Sequence, residues 1–202
     1  MLTLVAAVAV GYLLGAIPSA ELAARLKGRR IFEVGSGNMG AMNTARNLGY
    51  ALGAAVLAAD VAKGAAATAA ALAMASVVGL GPQERLVVAL AAGVAAVVGH
   101  AWSVFVAWRG GKGLATILGV SLPLYPLGGL AGLGLILALV LLTRRAHLAA
   151  VLTLLAYPWL VALVALRSGE PLETAFALFT ATLPLAVVSL VKHRPQRGPA
   201  AS

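Results

Sequence analysis

The chain has 202 residues, of which 61% are hydrophobic and 10% charged, and its mean hydropathy is +0.98. A soluble globular protein of this composition would lack the polar side chains to cover its surface, so a soluble fold is excluded. The formal net charge of +9 comes from short Lys and Arg clusters between apolar runs, without the basic face that nucleic-acid binding needs. Cysteine is absent, which excludes disulfides, thiolate metal sites and a cysteinyl acyl-enzyme.

The apolar runs predict an all-α, polytopic membrane protein that forms a single domain over residues 1–202. The first run, 2–24, is followed but not preceded by basic residues, which indicates a retained transmembrane helix with its C-terminal end in the cytoplasm. Further helices are predicted at 64–80, 86–107, 114–125, 127–143, 148–166 and 172–191. Most have about 17 to 23 residues, enough to span roughly 30 Å of hydrocarbon.

The segment 114–125 is too short for a full span and is followed by prolines and glycines, so 114–143 could also be one kinked helix. The distribution of basic residues favours a chain reversal, because only then do most of them share one side. We therefore predict about seven transmembrane helices, with the N-terminus outside and the C-terminus cytoplasmic. The cytoplasmic basic groups are then Arg25–Arg30, Arg46, Arg109, Lys112, Arg144, Arg145 and 192–197.

The polar segment 34–46 reads VGSGNMGAMNTAR and interrupts the apolar chain. A helix N-cap would explain one polar side chain, either Ser36 or Asn38. It would not explain Asn43 and Arg46, which stand three residues apart on one face of a helix beginning near Gly40 and could bind phosphate oxygens together. We therefore interpret the segment as part of a binding site.

A second polar segment, RGGKGLAT at 109–116, opens a predicted helix. Its glycines could turn backbone N–H groups toward an anion at the positive end of the helix dipole, with Lys112 adding a charge and Thr116 a hydroxyl. The spacing is not that of a Walker A loop. A flexible basic turn beside the membrane is the simpler alternative.

Three stretches together resemble a known family: GSGNMGAMNTAR at 35–46, DVAKG at 60–64 and GHAWSVFVAWRGGKGLAT at 99–116. They resemble the bacterial acyl-phosphate-dependent glycerol-3-phosphate acyltransferases, often written PlsY, over essentially the whole chain. The resemblance implies a small multi-helix membrane enzyme of phospholipid biosynthesis with its site on the cytoplasmic face. Its reaction would transfer a fatty acyl group from acyl phosphate to the 1-hydroxyl of sn-glycerol 3-phosphate, giving lysophosphatidic acid and phosphate.

The resemblance also implies roles for individual residues. Catalytic roles fall on Ser36, Arg46, Lys112 and His193, and substrate binding on Gly110, Gly111, Gly113, Thr116 and Gln196. From their chemistry and not from the resemblance, Asn38 and Asn43 are also expected to bind substrate, as donors to carbonyl or phosphate oxygens. The third motif departs from the family pattern, because Gln196 stands where the family has asparagine and no glutamate follows it. A slower enzyme, a paralogue with another acceptor and an inactive relative are alternatives to a fully active acyltransferase.

The chemistry itself asks mainly for two anions to be positioned and neutralised, which Arg46, Lys112 and His193 could do without a metal or cofactor. An acyl-enzyme on Ser36 is the less favoured mechanism, since no histidine–aspartate pair is recognisable near it. A transporter of phosphorylated anions is the rival class, although the polar motifs all fall on one predicted face. Expected partners are the two substrates and membrane lipid, with the upstream enzyme that forms the acyl phosphate as a further candidate.

Other polar residues receive structural interpretations. Asp60 and Lys63 are predicted to form an ion pair near a helix start. For His100, a structural hydrogen bond and substrate contact both stay open. Arg144, Arg145 and His147 are interpreted as topological signals only. Glu21 has no assigned role.

Overall fold

A computed structural model describes residues 1–193 of the chain, and these residues are almost entirely helical. The helices are α1 (Leu2–Ala16), α2 (Ser19–Arg25), α3 (Ala41–Leu48), α4 (Tyr50–Val77), α5 (Pro82–Ala101), α6 (Leu114–Leu124), α7 (Pro126–Thr143), α8 (Ala146–Arg167) and α9 (Leu172–Lys192). Two short 3-10 turns, Ile31–Glu33 and Val104–Val106, lie between them. Within the described residues, six segments are long and apolar enough to cross a membrane, with α6 as a shorter apolar helix.

The first predicted span, 2–24, is confirmed as one segment long and apolar enough to cross a membrane, Leu2–Arg25, but the chain breaks at Ile17 and divides it into α1 and α2. Pro18 lacks an N–H and disfavours helical geometry in the residue before it. Two carbonyls freed at the break are satisfied from elsewhere: the Ser103 hydroxyl donates to the Ala16 carbonyl at 2.5 Å, and Lys63 Nζ donates to the Ile17 carbonyl at 2.9 Å. Because lipid offers no replacement partners, these bonds allow the break to exist in the membrane.

The helix predicted at 64–80 begins fourteen residues earlier than expected, at Tyr50. Asp60 and Lys63 lowered the local hydropathy, but they lie inside α4 and form a buried ion pair at 2.8 Å. The predicted pair is therefore confirmed, although it does not mark a helix start. The helix predicted at 86–107 also ends earlier, at Ala101, since the next residues form a turn.

The chain reverses between α6 and α7, as the charge distribution predicted. A Cβ placed on Gly129 would lie 3.1 Å from the Ser121 side chain and 3.6 Å from Leu118. On one continuous helix, residues 118 and 129 would be about 16 Å apart at about 1.5 Å per residue. The alternative of a single kinked span over 114–143 is therefore excluded.

Small residues bring the helices into close contact. Gly11 and Gly15 of α1 pack on Ala92 and Ala96 of α5, and Gly64 of α4 packs on the backbone of α6. In a membrane, such close approach supplies the van der Waals contact that holds helices together. The outer faces carry exposed leucines suited to lipid, among them Leu137, Leu141, Leu142 and Leu155.

Basic residues from separate segments meet at one end of this bundle, which we call the basic end. Arg109 lies over the Phe32 ring at 3.8 Å, and Lys192 Nζ lies 4.8 Å from the Trp102 ring. Lys112 contacts the first turn of α8. The loops that carry the polar motifs are therefore neighbours in space.

Candidate active site at the basic end of the bundle

The loop that precedes α3 is organised around the buried side chain of Asn43. Asn43 Nδ2 donates to the carbonyls of Val34, at 2.9 Å, and Asn38, at 3.0 Å. Its Oδ1 accepts from the backbone N–H of Ser36 at 3.1 Å and from Asn47 Nδ2 at 3.0 Å. An amide side chain has two donor and two acceptor positions, so Asn43 uses all four within the loop.

This arrangement corrects two interpretations of the first motif. The N-cap of α3 is Gly40, with no side-chain cap, so neither Ser36 nor Asn38 caps the helix. Asn43 was expected to bind phosphate beside Arg46, but its side chain turns into the loop and has no free hydrogen-bonding position. Arg46 and Ser36 are exposed, and Asn38 is half-buried. Asn43 thus holds the loop that presents Ser36.

Ser36 stands between two glycines in the left-handed conformation, Gly35 with φ +55° and Gly37 with φ +65°. Side chains at these positions would be strained, and a Cβ on Gly35 would also collide with the amides of Asn43 and Asn47. The glycines of the motif are therefore required by the turn that exposes Ser36.

The second glycine loop is packed tightly against the end of α5. Gly111 N–H donates to the His100 carbonyl at 3.1 Å, so it is not free for an anion as the sequence suggested. A Cβ on Gly110 would overlap the His100 and Ala101 carbonyls. A Cβ on Gly111 would overlap the His100 ring and the Met39 carbonyl, which places the two motifs in direct contact.

Gly113 and Thr116 begin α6 as predicted. Gly113 is the N-cap, in the left-handed region at φ +84°. Thr116 was expected to offer a hydroxyl to substrate, but it is fully buried and its backbone packs against Gly64 of α4. Among the described residues, Thr116 Oγ1 has no hydrogen-bond partner. In this structure Thr116 belongs to the α4–α6 contact and not to an open surface.

Lys112, His147 and His193 form a cluster drawn from three elements. Lys112 Nζ lies 3.4 Å from His147 Nδ1, and the rings of His147 and His193 stack with centroids 5.5 Å apart. The Ser189 hydroxyl donates to the Lys112 carbonyl and thereby ties the glycine loop to α9. His193 Nδ1 lies 2.9 Å from the Ser189 carbonyl.

The protonation of His193 follows from its surroundings. A carbonyl only accepts, so Nδ1 carries the proton and a neutral His193 presents a lone pair on Nε2. Burial lowers the pKa of His193 from its usual 6.5, the bond to the Ser189 carbonyl raises it, and the nearby Lys112 ammonium lowers it again. Burial also lowers the pKa of the Lys112 ammonium. His193 is therefore a neutral acceptor near pH 7.

Several cations of the basic end have no protein carboxylate beside them in the part of the chain that the structure describes. Within residues 1–193, the ion pairs of Asp and Glu involve only Arg25, Arg30, Lys63 and His100. Arg46, Arg109 and Lys112 have no carboxylate partner in that part of the chain, so the basic end suits an anionic ligand.

His147 and Glu21, for which the sequence indicated no functional role, both contact residues of the candidate site or of the loop that leads into it. His147, interpreted from sequence as a topological signal, lies between Lys112 and His193, and no local spacing indicated this. Glu21 is buried: its Oε1 pairs with Arg25 at 2.9 Å, and its Oε2 accepts the Ile31 N–H at 2.9 Å. Glu21 thereby anchors the basic loop that leads into the first motif.

His100 lies beneath the glycine loop beside the Asp60–Lys63 pair. Its Nδ1 is 3.6 Å from Asp60 Oδ1, too long for a hydrogen bond, and has no partner among the described residues. A structural hydrogen bond comes instead from its backbone carbonyl, which accepts from Gly111. Gln196, the remaining predicted site residue, lies outside the described residues.

Comparison with known proteins identifies the family to which the chain is similar. The family model described as glycerol-3-phosphate acyltransferase matches residues 5–198. The glycerol-3-phosphate acyltransferase of Geobacter sulfurreducens is 39% identical over 92% of this chain and 88% of its own, and that of Rubrobacter xylanophilus is 38% identical over 93% and 86%. The crystal structure of PlsY (YgiH), an integral membrane glycerol 3-phosphate acyltransferase, in its glycerol 3-phosphate form superposes with a TM-score of 0.76 at 31% identity, covering 95% of this chain and 88% of that one. Its lysophosphatidic acid form gives 0.75 at 30% identity. The chain belongs to the glycerol-3-phosphate acyltransferase family.

Proposed function

We propose that this protein transfers a fatty acyl group from acyl phosphate to the 1-hydroxyl of sn-glycerol 3-phosphate, forming lysophosphatidic acid and inorganic phosphate in phospholipid synthesis. The observation that carries the proposal is the cluster of Lys112, His147 and His193, which lies at the end of an apolar bundle without a carboxylate partner in the described part of the chain. A charged head group and a lipid tail would both find complementary surroundings there. Family membership supports the same reaction.

The main task of such a site is to bring two anions together. The acyl carbonyl carbon forms a bond to the glycerol hydroxyl oxygen while its bond to the phosphate oxygen breaks, and the hydroxyl proton leaves with a base. Phosphate is a good leaving group, so positioning and charge neutralisation supply most of the rate. Arg46 and Lys112 provide the positive charge, and the loop held by Asn43 presents Ser36 and Asn38 to the substrates.

His193 takes the role of hydrogen-bond acceptor in this proposal. Its Nδ1 is engaged by the Ser189 carbonyl, which leaves Nε2 to accept from the 1-hydroxyl. Sequence reasoning had grouped His193 with the cations, but a neutral ring fits its buried position better. Ser36 orients substrate without forming an acyl-enzyme, since in the described residues its hydroxyl has no hydrogen bond to a histidine.

The membrane arrangement is part of the proposal. We assign seven spans, counting α6, with the N-terminus outside and the basic end on the cytoplasmic face of the cell membrane. Membrane lipid surrounds the bundle, and an enzyme that makes acyl phosphate would supply the donor from the same side.

A transporter of anionic phosphates is the competing function. The clustering of the polar motifs at one end argues against it, and the charges inside α4 are already paired with each other. Protein in liposomes separates the two functions: a transporter would accumulate labelled glycerol 3-phosphate without an acyl donor, whereas the acyltransferase would not.

The direct test uses purified protein in detergent with palmitoyl phosphate and radiolabelled glycerol 3-phosphate. We expect labelled lysophosphatidic acid from the native protein and its loss in Ser36→Ala. Ser76→Ala, an exposed serine at the opposite end of α4, is the matched control and should retain activity. Gln196→Asn measures whether the altered third motif slows the reaction. Absence of product from the native protein and Gln196→Asn would refute the proposed reaction.

A further inference from the structure

We propose that His147 is a further positioning residue of the active site, which acts by holding the Lys112 ammonium through its Nδ1 atom. The kinetic test of this inference rests on the proposed function, because it measures KM and kcat of the acyl transfer. A second test, the rate at which Lys112 is acetylated, rests on the geometry alone. His147 lies outside the three stretches that carry the family resemblance, 35–46, 60–64 and 99–116.

The geometry places His147 between the two side chains that the mechanism needs. It stands in the first turn of α8, with Lys112 from the glycine loop on one side and His193 from the end of α9 on the other. Up to residue 193, these are the titratable groups whose side chains are seen to contact the His147 ring. His147 is exposed, whereas His193 is buried, so its position is not explained by core packing.

The hydrogen-bonding roles fix the direction in which His147 acts. An ammonium group can only donate, so Lys112 donates to Nδ1 and a neutral His147 carries its proton on Nε2. A lysine side chain has many rotamers, and a fixed acceptor near its end restricts them. Stacking at an interplanar angle of 29° keeps the His147 ring in the orientation that presents Nδ1 to Lys112.

This arrangement predicts a particular pattern among replacements. Asparagine places an acceptor oxygen near the position of Nδ1, whereas glutamine places its amide near the position of Nε2. His147→Asn should therefore keep the Lys112 contact, and His147→Gln and His147→Ala should lose it. Arg145→Ala, two residues away and exposed, is the matched control for a loss of local charge.

The kinetic test measures KM for glycerol 3-phosphate and kcat in these variants. We expect KM to rise about tenfold in His147→Ala and His147→Gln, a change of about 1.4 kcal/mol in binding, with a smaller effect on kcat. His147→Asn should restore KM to within about threefold of the native value. In a Lys112→Ala background, His147→Ala should add no further effect, because coupled residues are not additive.

A second test probes the contact between Lys112 and His147 without substrate turnover. Competitive acetylation of lysines by acetic anhydride, followed by mass spectrometry, should label Lys112 at least about threefold faster in His147→Ala than in the native protein or His147→Asn. Native KM and native Lys112 labelling in His147→Ala would overturn the inference. Rescue by glutamine and not asparagine would overturn it too, because it would indicate direct contact through Nε2. An inactive native protein with the expected labelling pattern would refute the proposed function and leave the positioning role supported.

Discussion

The substitution Asn43→Asp tests whether this side chain holds the loop that presents Ser36. The change preserves shape and Oδ1 but replaces the Nδ2 donors, so an anionic oxygen would face the carbonyls of Val34 and Asn38, now accepting at 2.9 and 3.0 Å. Losing two hydrogen bonds costs about 0.5 to 1.5 kcal/mol each, and leaving the new, buried carboxylate oxygen of the Asn43→Asp side chain without a donor adds about 1 kcal/mol or more. The native loop should thus be disfavoured by about 2 to 4 kcal/mol.

At about 1.4 kcal/mol per tenfold change, that cost corresponds to about 30-fold to 1000-fold in the loop equilibrium. We expect kcat/KM for lysophosphatidic acid formation to fall by at least about tenfold. The fall is smaller than the change in the loop equilibrium, because a stable loop keeps part of its native population after the substitution. Asn47→Ala is the control: Asn47 donates to the same Oδ1 but is exposed, so water replaces it and activity should stay within about threefold. Native kcat/KM in a folded Asn43→Asp protein would refute the role.

Three further perturbations probe other parts of the account. Gly111→Ala should reduce activity by at least about a hundredfold, because its methyl group collides with the Met39 carbonyl and the His100 ring, while Gly134→Ala, with open space around it, should be neutral in the same assay. Lys63→Met removes the partner that lies 2.8 Å from Asp60, leaves the carboxylate inside the bundle with the His100 ring 3.6 Å away, and should destabilise the protein by about 3 to 5 kcal/mol in detergent unfolding. The double change Asp60→Leu with Lys63→Met should recover part of that loss, and additive effects of the two changes would contradict the pairing. Finally, since burial and the charge of Lys112 lower the pKa of His193 from 6.5, kcat/KM should fall only below about pH 6.5, as Nε2 takes a proton. This acid limb should vanish in His193→Gln, and activity that rises with acid would contradict a neutral acceptor.

The apolar runs were sufficient to predict most of the helices, because a bilayer forces each span to be long, apolar and internally hydrogen-bonded. The charge distribution predicted the reversal after α6, since basic loops stay on one side of the membrane. Hydropathy predicted the wrong helix bounds where contacts with distant residues stabilise a proline or a charged side chain inside a span. The membrane helix can break at Pro18 because Ser103 and Lys63 donate hydrogen bonds to the backbone carbonyls freed there. Asp60 can lie within a span because Lys63 pairs with it.

The sequence indicated which polar segments to examine, but not which contacts the individual side chains make. Clustering of Ser36, Asn43 and Arg46 indicated a polar loop, yet an amide that binds phosphate and one that binds its own loop look identical in sequence. Asn43 proved to be the second kind. His147 was missed for a related reason: its neighbours, Lys112 and His193, are 35 and 46 positions away along the chain, and only the packing of α8 against α9 unites them.

The measurement that tests the central claim most directly is the stoichiometry of the reaction. Purified protein receives palmitoyl phosphate with and without glycerol 3-phosphate, and phosphate and lysophosphatidic acid are measured in the same time course. The account predicts one phosphate released for each lysophosphatidic acid formed, and little release when the acceptor is absent. Phosphate release that is independent of glycerol 3-phosphate, or no lysophosphatidic acid at all, would contradict it.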